Sequence, residues 1–266
     1  MNSKERGIPF NRLPVIGAVF RGYDRKIGEE GLHRATDWLI TRSGGRVEGF
    51  ADDETRAVLT GEPVLLIANH TWGAEAFPLI AALPPRKDVF VISGLDYTTL
   101  GSNLTPHLIP VFSTEPTKKE DERLLAKLRK VLKIGPMLTL TPREAGERNV
   151  SAIKKACEIV NGGGMVIICP SGARKDEASW YTGIGHMIKG VGGESGAYLI
   201  YAYISGTSSL DPLRFFPGIG KYLPTFRVFL SRPRKASEIF SGETRPVGLT
   251  KTLQDEYTKW VRQIRY

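Results

Sequence analysis

Cysteine is scarce in this chain, with two in 266 residues. Cys157, in a helical pattern, and Cys169, in an apolar run, have neither the density of a disulfide scaffold nor the spacing of a metal site, so a reducing compartment is expected. Long hydrophobic runs are also missing, since no stretch approaches the roughly 20 apolar residues of a membrane-spanning helix. Leu13 to Phe20 comes nearest to a secretion signal, but Pro14 interrupts it, Arg21 follows at once and no small-residue cleavage site appears. Internal repeats and low-complexity tracts are absent. No Gly-x-x-x-x-Gly-Lys-Ser/Thr pattern exists, which argues against a nucleotide-binding loop. These absences leave a cytoplasmic protein as the expectation, peripheral on membranes at most.

What is present is ordinary in amount and uneven in placement. Hydrophobic residues make up 41% and charged residues 24%, as in soluble globular chains. A chain of this length buries one substantial core without disulfides or metal. The net charge is +9, and residues 212 to 266 carry eleven Lys/Arg against four Asp/Glu. Such a surface suits anionic partners, among them nucleic acid, anionic lipid headgroups and acidic carrier proteins. A plain solvated basic face explains it equally well, and charge alone does not choose.

Ile27, Leu32, Ala35, Trp38 and Leu39 recur at near-helical spacing before Gly44 and Gly45, predicting a helical N-terminal segment over residues 1–55. Short apolar runs follow at Val64–Ala68, Val89–Ile92, Met165–Cys169, Leu199–Ile204 and Phe226–Leu230, bounded by Gly, Pro or Asn, with helical stretches between several of them. This alternation predicts an α/β domain over residues 56–266, built on a mostly parallel central sheet flanked by helices. Functional residues are then expected where strands run out into loops.

Two strand ends meet that expectation. After Val64–Ala68 comes Asn-His-Thr-Trp-Gly-Ala-Glu, with His70 and Glu75 five positions apart. A histidine near neutral pKa accepts a proton from a hydroxyl, and a carboxylate one helical turn away fixes its tautomer and stabilises the imidazolium. Taken alone the pair is equally a capping histidine beside a solvated glutamate. About a hundred residues later, Met165–Cys169 runs into Pro-Ser-Gly-Ala-Arg-Lys-Asp-Glu. Gly172 there permits a turn or a close approach to a ligand, and Arg174 with Lys175 suits a phosphate. An ordinary charged surface turn is the plain alternative.

Taken together, these blocks and the helix Asn-Val-Ser-Ala-Ile-Lys-Lys-Ala-Cys between them resemble the glycerolipid acyltransferase superfamily, which includes glycerol-3-phosphate and 1-acylglycerol-3-phosphate acyltransferases. That family's first block is Asn-His-x4-Asp. Its third is commonly Phe-Pro-Glu-Gly-Thr-Arg, with a Pro-Ser-Gly-Gly-Arg version in soluble glycerol-3-phosphate acyltransferases that is nearer to the sequence here. A second block ends in an arginine about 27 residues before the third block's proline, where Arg143 stands, and Arg148 fills the role equally. The resemblance covers roughly residues 60 to 205. Glu75 departs from the usual Asp, as in the related lipid A secondary acyltransferases, and Ser171 departs from the commoner Glu.

The resemblance implies direct acyl transfer. His70 takes the proton of an acceptor hydroxyl that attacks an acyl thioester, from acyl-CoA or acyl carrier protein, while Glu75 orients the base. Arg143, Ser171, Gly172, Arg174 and Lys175 are the implied substrate-binding set. No metal or other cofactor is required. Ser171 is disfavoured as a nucleophile because no Gly-x-Ser-x-Gly elbow surrounds it. The expected acceptor is a glycerol-phosphate or lysophospholipid. A glycolipid or other alcohol acceptor is one alternative, and a non-catalytic protein of the same fold that binds membranes or nucleic acid is another. Nucleic acid is not an expected partner of the enzyme.

Lesser features complete the reading. His107 reads as structural, and His186 as part of a helix start packed by Ile184, Met187 and Ile188. Trp72 either walls an acyl channel or anchors its helix. Residues 117–133 place Leu124, Leu125, Leu128, Val131 and Leu132 on one helical face, with Lys127, Arg129, Lys130 and Lys133 among the polar positions. Such a helix lies on an anionic membrane, receives an acidic carrier protein, or packs on the core with its lysines in water.

Overall fold

The computed structural model describes residues 10–12, 16–70, 75–112, 140–172, 179–192, 196–208, 210–240 and 245–264. Its frame is an eight-stranded sheet. The strands are β1 (Val47–Phe50), β2 (Val64–Ala68), β3 (Val89–Gly94), β4 (Leu108–Val111), β5 (Met165–Ile168), β6 (Tyr198–Ser205), β7 (Phe226–Leu230) and β8 (Arg234–Lys235). They run in the order β1-β7-β6-β2-β5-β3-β4, with β8 beside β6. Pairing is parallel from β6 through β2, β5 and β3 to β4, whereas β7 and β8 run antiparallel to β6. The structure therefore has the α/β class and mostly parallel sheet that the alternating pattern predicts.

Seven α-helices among the described residues cover the sheet: α1 (Ile16–Glu30), α2 (Leu32–Thr41), α3 (Asp53–Gly61), α4 (Ala76–Ala82), α5 (Pro142–Asn161), α6 (Gly183–Val191) and α7 (Pro246–Ile264). Side chains alternate across a strand, and β2 uses both faces. Val64, Leu66 and Ala68 enter a core with residues of α1 to α4, while Leu65 and Ile67 enter a second core with α5, α6 and α7. All five are at most 1% exposed. A strand buried on both sides reads as a continuous apolar run, as Val-Leu-Leu-Ile-Ala does. Full burial of each of its large side chains contributes about 1.5–3 kcal/mol.

The helix ends show why these segments begin where they do. Thr141 caps α5 by accepting from the Glu144 amide, while the Glu144 carboxylate accepts from the Thr141 amide at 2.8 Å. This is the reciprocal box expected of Thr-Pro-Arg-Glu, with proline at the first helical position, where no N–H is needed. Asp52 caps α3 by accepting from the Thr55 amide at 2.8 Å. Helices α6 and α7 approach closely at Gly185, where an added Cβ would lie 1.9 Å from the Pro246 carbonyl oxygen.

Residues of the N-terminal segment share this architecture. Helices α1 and α2, separated at Gly31, pack into the first core, and β1 pairs in parallel with β7. At the sheet's other end, the Arg86 guanidinium donates to both Asp88 carboxylate oxygens and to the carbonyls of Leu59, Glu62 and Gly163. It thereby fastens the chain entering β2, β3 and β5. Their carboxyl ends lie on the opposite side, and there the sequence motifs emerge.

Candidate active site

Strand β2 ends at Ala68, and Asn69 continues its pairing by side chain. The Asn69 Oδ1 accepts from the Ile204 amide at 2.8 Å, and Nδ2 donates to the Ile204 carbonyl at 2.9 Å. The carboxamide thus supplies both partners that a further strand residue would have offered to β6. Asn69 is 4% exposed, so its polar atoms require such partners. The result is a rigid exit for the next residue, His70.

His70 Nδ1 lies 3.1 Å from Glu75 Oε2. Glu75 immediately precedes α4, and its side chain is 1% exposed against 25% for His70. A buried carboxylate is tolerable when paired and hydrogen-bonded. Its contact with Nδ1 assigns that ring nitrogen as the donor and leaves Nε2 for proton exchange with a substrate. Burial opposes the charged imidazolium. The neighbouring Cys169 and Glu75 side chains outweigh it and raise the imidazole from 6.5 to about 10.

The neighbouring strand end completes the described part of the site. Strands β2 and β5 are in register with Ile67 opposite Ile168, so Cys169 leaves β5 beside the exit of β2. Its thiol donates to the Asn69 carbonyl oxygen at 3.5 Å. After Cys169 the chain turns tightly, closed by the Gly172 amide donating to the Cys169 carbonyl at 3.0 Å. Gly172 has φ +56°, and a Cβ there would also meet the Tyr181 ring at 3.0 Å. Glycine is required on both counts. Ser171 sits in this turn, 1% exposed.

No protein-family model and no curated protein sequence matches the chain. Among solved structures, it is similar to the crystal structure of PlsC, the 1-acyl-sn-glycerophosphate acyltransferase from Thermotoga maritima. That similarity has a TM-score of 0.45 at 15% identity, covering 94% of this chain and 87% of that one.

The structure brings His70, Glu75, Ser171 and Gly172 to adjacent strand ends, and adds Asn69 and Cys169, which the sequence pattern did not single out. Arg143 is on the first turn of α5, largely in solvent and paired with Glu147 at 2.9 Å. Arg148 holds its guanidinium over the Phe112 ring at 5.2 Å. Asn149 ties this part of α5 to the end of β4 by bonding both the amide and the carbonyl of Phe112 at 2.8 Å. β4 is three strands from β2 in the sheet order, or about 14 Å at the usual strand spacing. Arg174, Lys175, Trp72 and the amphipathic segment 117–133 lie outside the described residues. His107 bonds the Val89 carbonyl at 3.0 Å, and His186 is exposed on α6 while Ile184, Met187 and Ile188 are buried.

A cavity of about 240 Å³ is lined by Gly49, Ala51, Arg56, Leu59, Ala82 and their neighbours. It opens at the far end of α4 from Glu75 and includes none of the site residues, so His70 carries more weight than the cavity in locating the chemistry. Among the described residues, no three His, Cys, Asp or Glu side chains are grouped to hold a metal ion. No helix among them is long and apolar enough to cross a membrane.

Proposed function

We propose that this protein is an O-acyltransferase that moves a fatty acyl group from an acyl thioester to a hydroxyl of a phosphate-bearing lipid precursor. The observation that carries this reading is the 3.1 Å contact between His70 Nδ1 and the buried Glu75 carboxylate at the carboxyl end of a central parallel strand. A positioned base of this kind contributes on the order of 10²–10⁴ in rate. Glu75 holds the ring and stabilises its charged form as the acceptor's proton arrives. The thioester supplies a good leaving group.

The two sequence blocks that resemble the glycerolipid acyltransferases contain this pair and the neighbouring turn, which supports the reaction class. Arg174 and Lys175 stand two and three positions after Gly172 in sequence and are the proposed clamp for the acceptor's phosphate, with acyl-CoA or acyl carrier protein as donor. Glycerol-phosphate or a lysophospholipid is the first acceptor to test. The glutamate at position 75 favours, as a second reading, a glycolipid or another alcohol. Peripheral association with anionic membranes is part of the proposal and rests on the excess of basic residues in the C-terminal fifth.

Expression in cells followed by lipid mass spectrometry, wild type against His70→Ala, tests the reading. The expected result is an acylated product that accumulates with the wild type and is lost in the variant. The same lipid profile from both would overturn it.

A further inference from the structure

The chain between β6 and β7, residues 206 to 225, is poor in charge and rich in apolar side chains that stay outside the two cores. Its charged residues are Asp211, Arg214 and Lys221 alone. Leu210, Leu213 and Tyr222 are 51%, 41% and 79% exposed, three of the seven large apolar side chains exposed among the described residues. Apolar groups gathered on the surface in one segment mark an interaction site. Hydrogen bonds space them regularly. The amides of Leu213, Phe216, Ile219 and Tyr222 donate to the carbonyls of Leu210, Leu213, Phe216 and Ile219, so each of these apolar residues is joined by a turn to the next. The first and last of these turns adjoin 3-10 helices, at Asp211–Phe215 and Gly220–Tyr222. Side chains three apart eclipse in such a helix, which aligns Leu210 with Leu213 and Ile219 with Tyr222.

The row is held in place. Arg214 Nη2 donates to the carbonyls of Gly206 and Pro224 at 3.1 and 2.7 Å, and Nε donates to Asp211 at 2.9 Å. The guanidinium also lies 4.0 Å from the centre of the Phe226 ring. Gly206 has φ +82°, and a Cβ there would lie 2.2 Å from the Thr225 carbonyl oxygen, so glycine is required where the two feet of the excursion meet. Further along, the Gly220 amide donates to the Ser43 carbonyl at 2.8 Å. The Asp211–Arg214 pair is buried and neutral overall. Lys221 is exposed, its ammonium 4.9 Å from the centre of the Tyr222 ring, and the adjoining segment 42–46 adds Arg42 and Arg46 and no acid.

We propose that the apolar row from Leu210 to Tyr222 docks on a lipid bilayer, with Leu210, Leu213 and Tyr222 entering the interface and Lys221 and Arg46 meeting headgroup phosphates. The purpose of this contact rests on the acyltransferase reading above, since such an enzyme meets its apolar substrates at a membrane. The placement suits it: β6 is bonded to the end of β2 through Asn69 and Ile204, so the excursion leaves the sheet at the same end as His70. Tyrosine and lysine both suit interfacial depth, each with an apolar body and a polar tip. An acidic carrier protein would be matched by a field of cations rather than by an apolar row. Attachment is then apolar in origin, and the basic residues of the C-terminal fifth add to it on anionic membranes.

The test is sedimentation with phosphatidylcholine vesicles at about 1 M salt, where screening shortens electrostatic reach to about 3 Å. Wild type is compared with the triple variant Leu210→Ser/Leu213→Ser/Tyr222→Ser. The inference expects the wild type to bind and the variant's partition coefficient to fall at least tenfold, with similar thermal melts. Tyr222→Trp keeps the apolar surface, and its added fluorescence should be quenched by phosphatidylcholine with brominated chains; this result decides if the triple variant melts lower. Wild type that binds only anionic vesicles at low salt, a triple variant within twofold of wild type, or no added quenching in Tyr222→Trp would overturn the proposal. A triple variant that binds vesicles normally but loses turnover with carrier-bound acyl groups, or turns a dimer into a monomer, would assign the row to a protein partner and overturn it too. The vesicle measurements involve no turnover, so their failure leaves the acyltransferase reading intact, and an absence of acyl transfer with every donor and acceptor leaves the vesicle result intact.

Discussion

Replacing Glu75 with glutamine removes a charge from the site while nearly preserving shape, so its consequences separate electrostatics from packing. In the wild type the imidazole rises from 6.5 to about 10 against the opposing effect of burial. Cys169 and Glu75 supply that rise between them. If Glu75 accounts for only a third of it, Glu75→Gln lowers the His70 pKa by about one, worth about 1.4 kcal/mol and a tenfold change in an equilibrium or rate. Turnover compared at a pH where the ring is neutral in both proteins should fall at least tenfold, because the imidazolium formed during proton transfer has lost its partner. The sign of the stability effect follows from linkage. A group whose folded pKa is raised stabilises the fold fully below its unfolded value, here about 6.5, and loses that contribution as pH climbs toward about 10. The melting-temperature advantage of wild type over Glu75→Gln should therefore be largest near pH 6 and shrink toward pH 10. Titration of the His70 ring by NMR reads the pKa directly. An unchanged imidazole pKa in Glu75→Gln, with turnover within twofold of wild type, would refute the reasoning.

Other perturbations have distinct signatures. Asn69→Ala removes both side-chain partners of the Ile204 backbone; a buried polar group left unpaired costs about 1–3 kcal/mol, so denaturant melts should show at least that loss, together with a lower kcat from a mispositioned His70. Arg174→Ala should raise the KM of the acceptor more than that of the acyl donor, and equal effects in steady-state kinetics would place the acceptor's anion elsewhere. Binding to anionic vesicles should weaken as salt rises, since each near-surface Lys or Arg contributes about 1 kcal/mol and screening sets in beyond about 10 Å at 0.1 M. Replacing Lys127, Lys130 and Lys133 with glutamine should weaken it in a sedimentation assay, whereas loss of turnover only with carrier-bound acyl groups would assign that segment to an acidic carrier protein.

The pattern of what the sequence reveals has a physical cause. The five apolar runs that predict strands correspond to β2, β3, β5, β6 and β7, the five strands lying inside the β1-to-β4 order of the sheet. A strand flanked on both sides and covered on both faces must be apolar throughout, so it is visible as a run. The two ends of that order are hidden for the opposite reason. β1 is Val-Glu-Gly-Phe with three exposed residues, and β4 is Leu-Ile-Pro-Val, where Pro110 is tolerated because, among the described residues, the strand has no neighbour on its outer side. Neither has the composition of a buried strand.

The site divides in the same way. His70 and Glu75 are legible because a base and its carboxylate must occupy nearby positions on one short segment. Cys169 and Asn69 are not, because their significance lies in contacts made across the sheet. Asn69 meets Ile204, 135 residues away, and the Cys169 thiol meets the Asn69 carbonyl oxygen, 100 residues away. The one-to-one register of β2 with β5 is needed to see that the two strand ends adjoin.

Acyl transfer by the purified protein tests the central claim most directly. Palmitoyl-CoA and acyl carrier protein loaded with palmitate would each be offered with glycerol-3-phosphate, a lysophospholipid and a glycolipid alcohol, and products followed by mass spectrometry for wild type and His70→Gln. The account predicts an ester product from the wild type with at least one pair, falling by at least 10² in the folded His70 variant. Normal turnover in His70→Gln would contradict it.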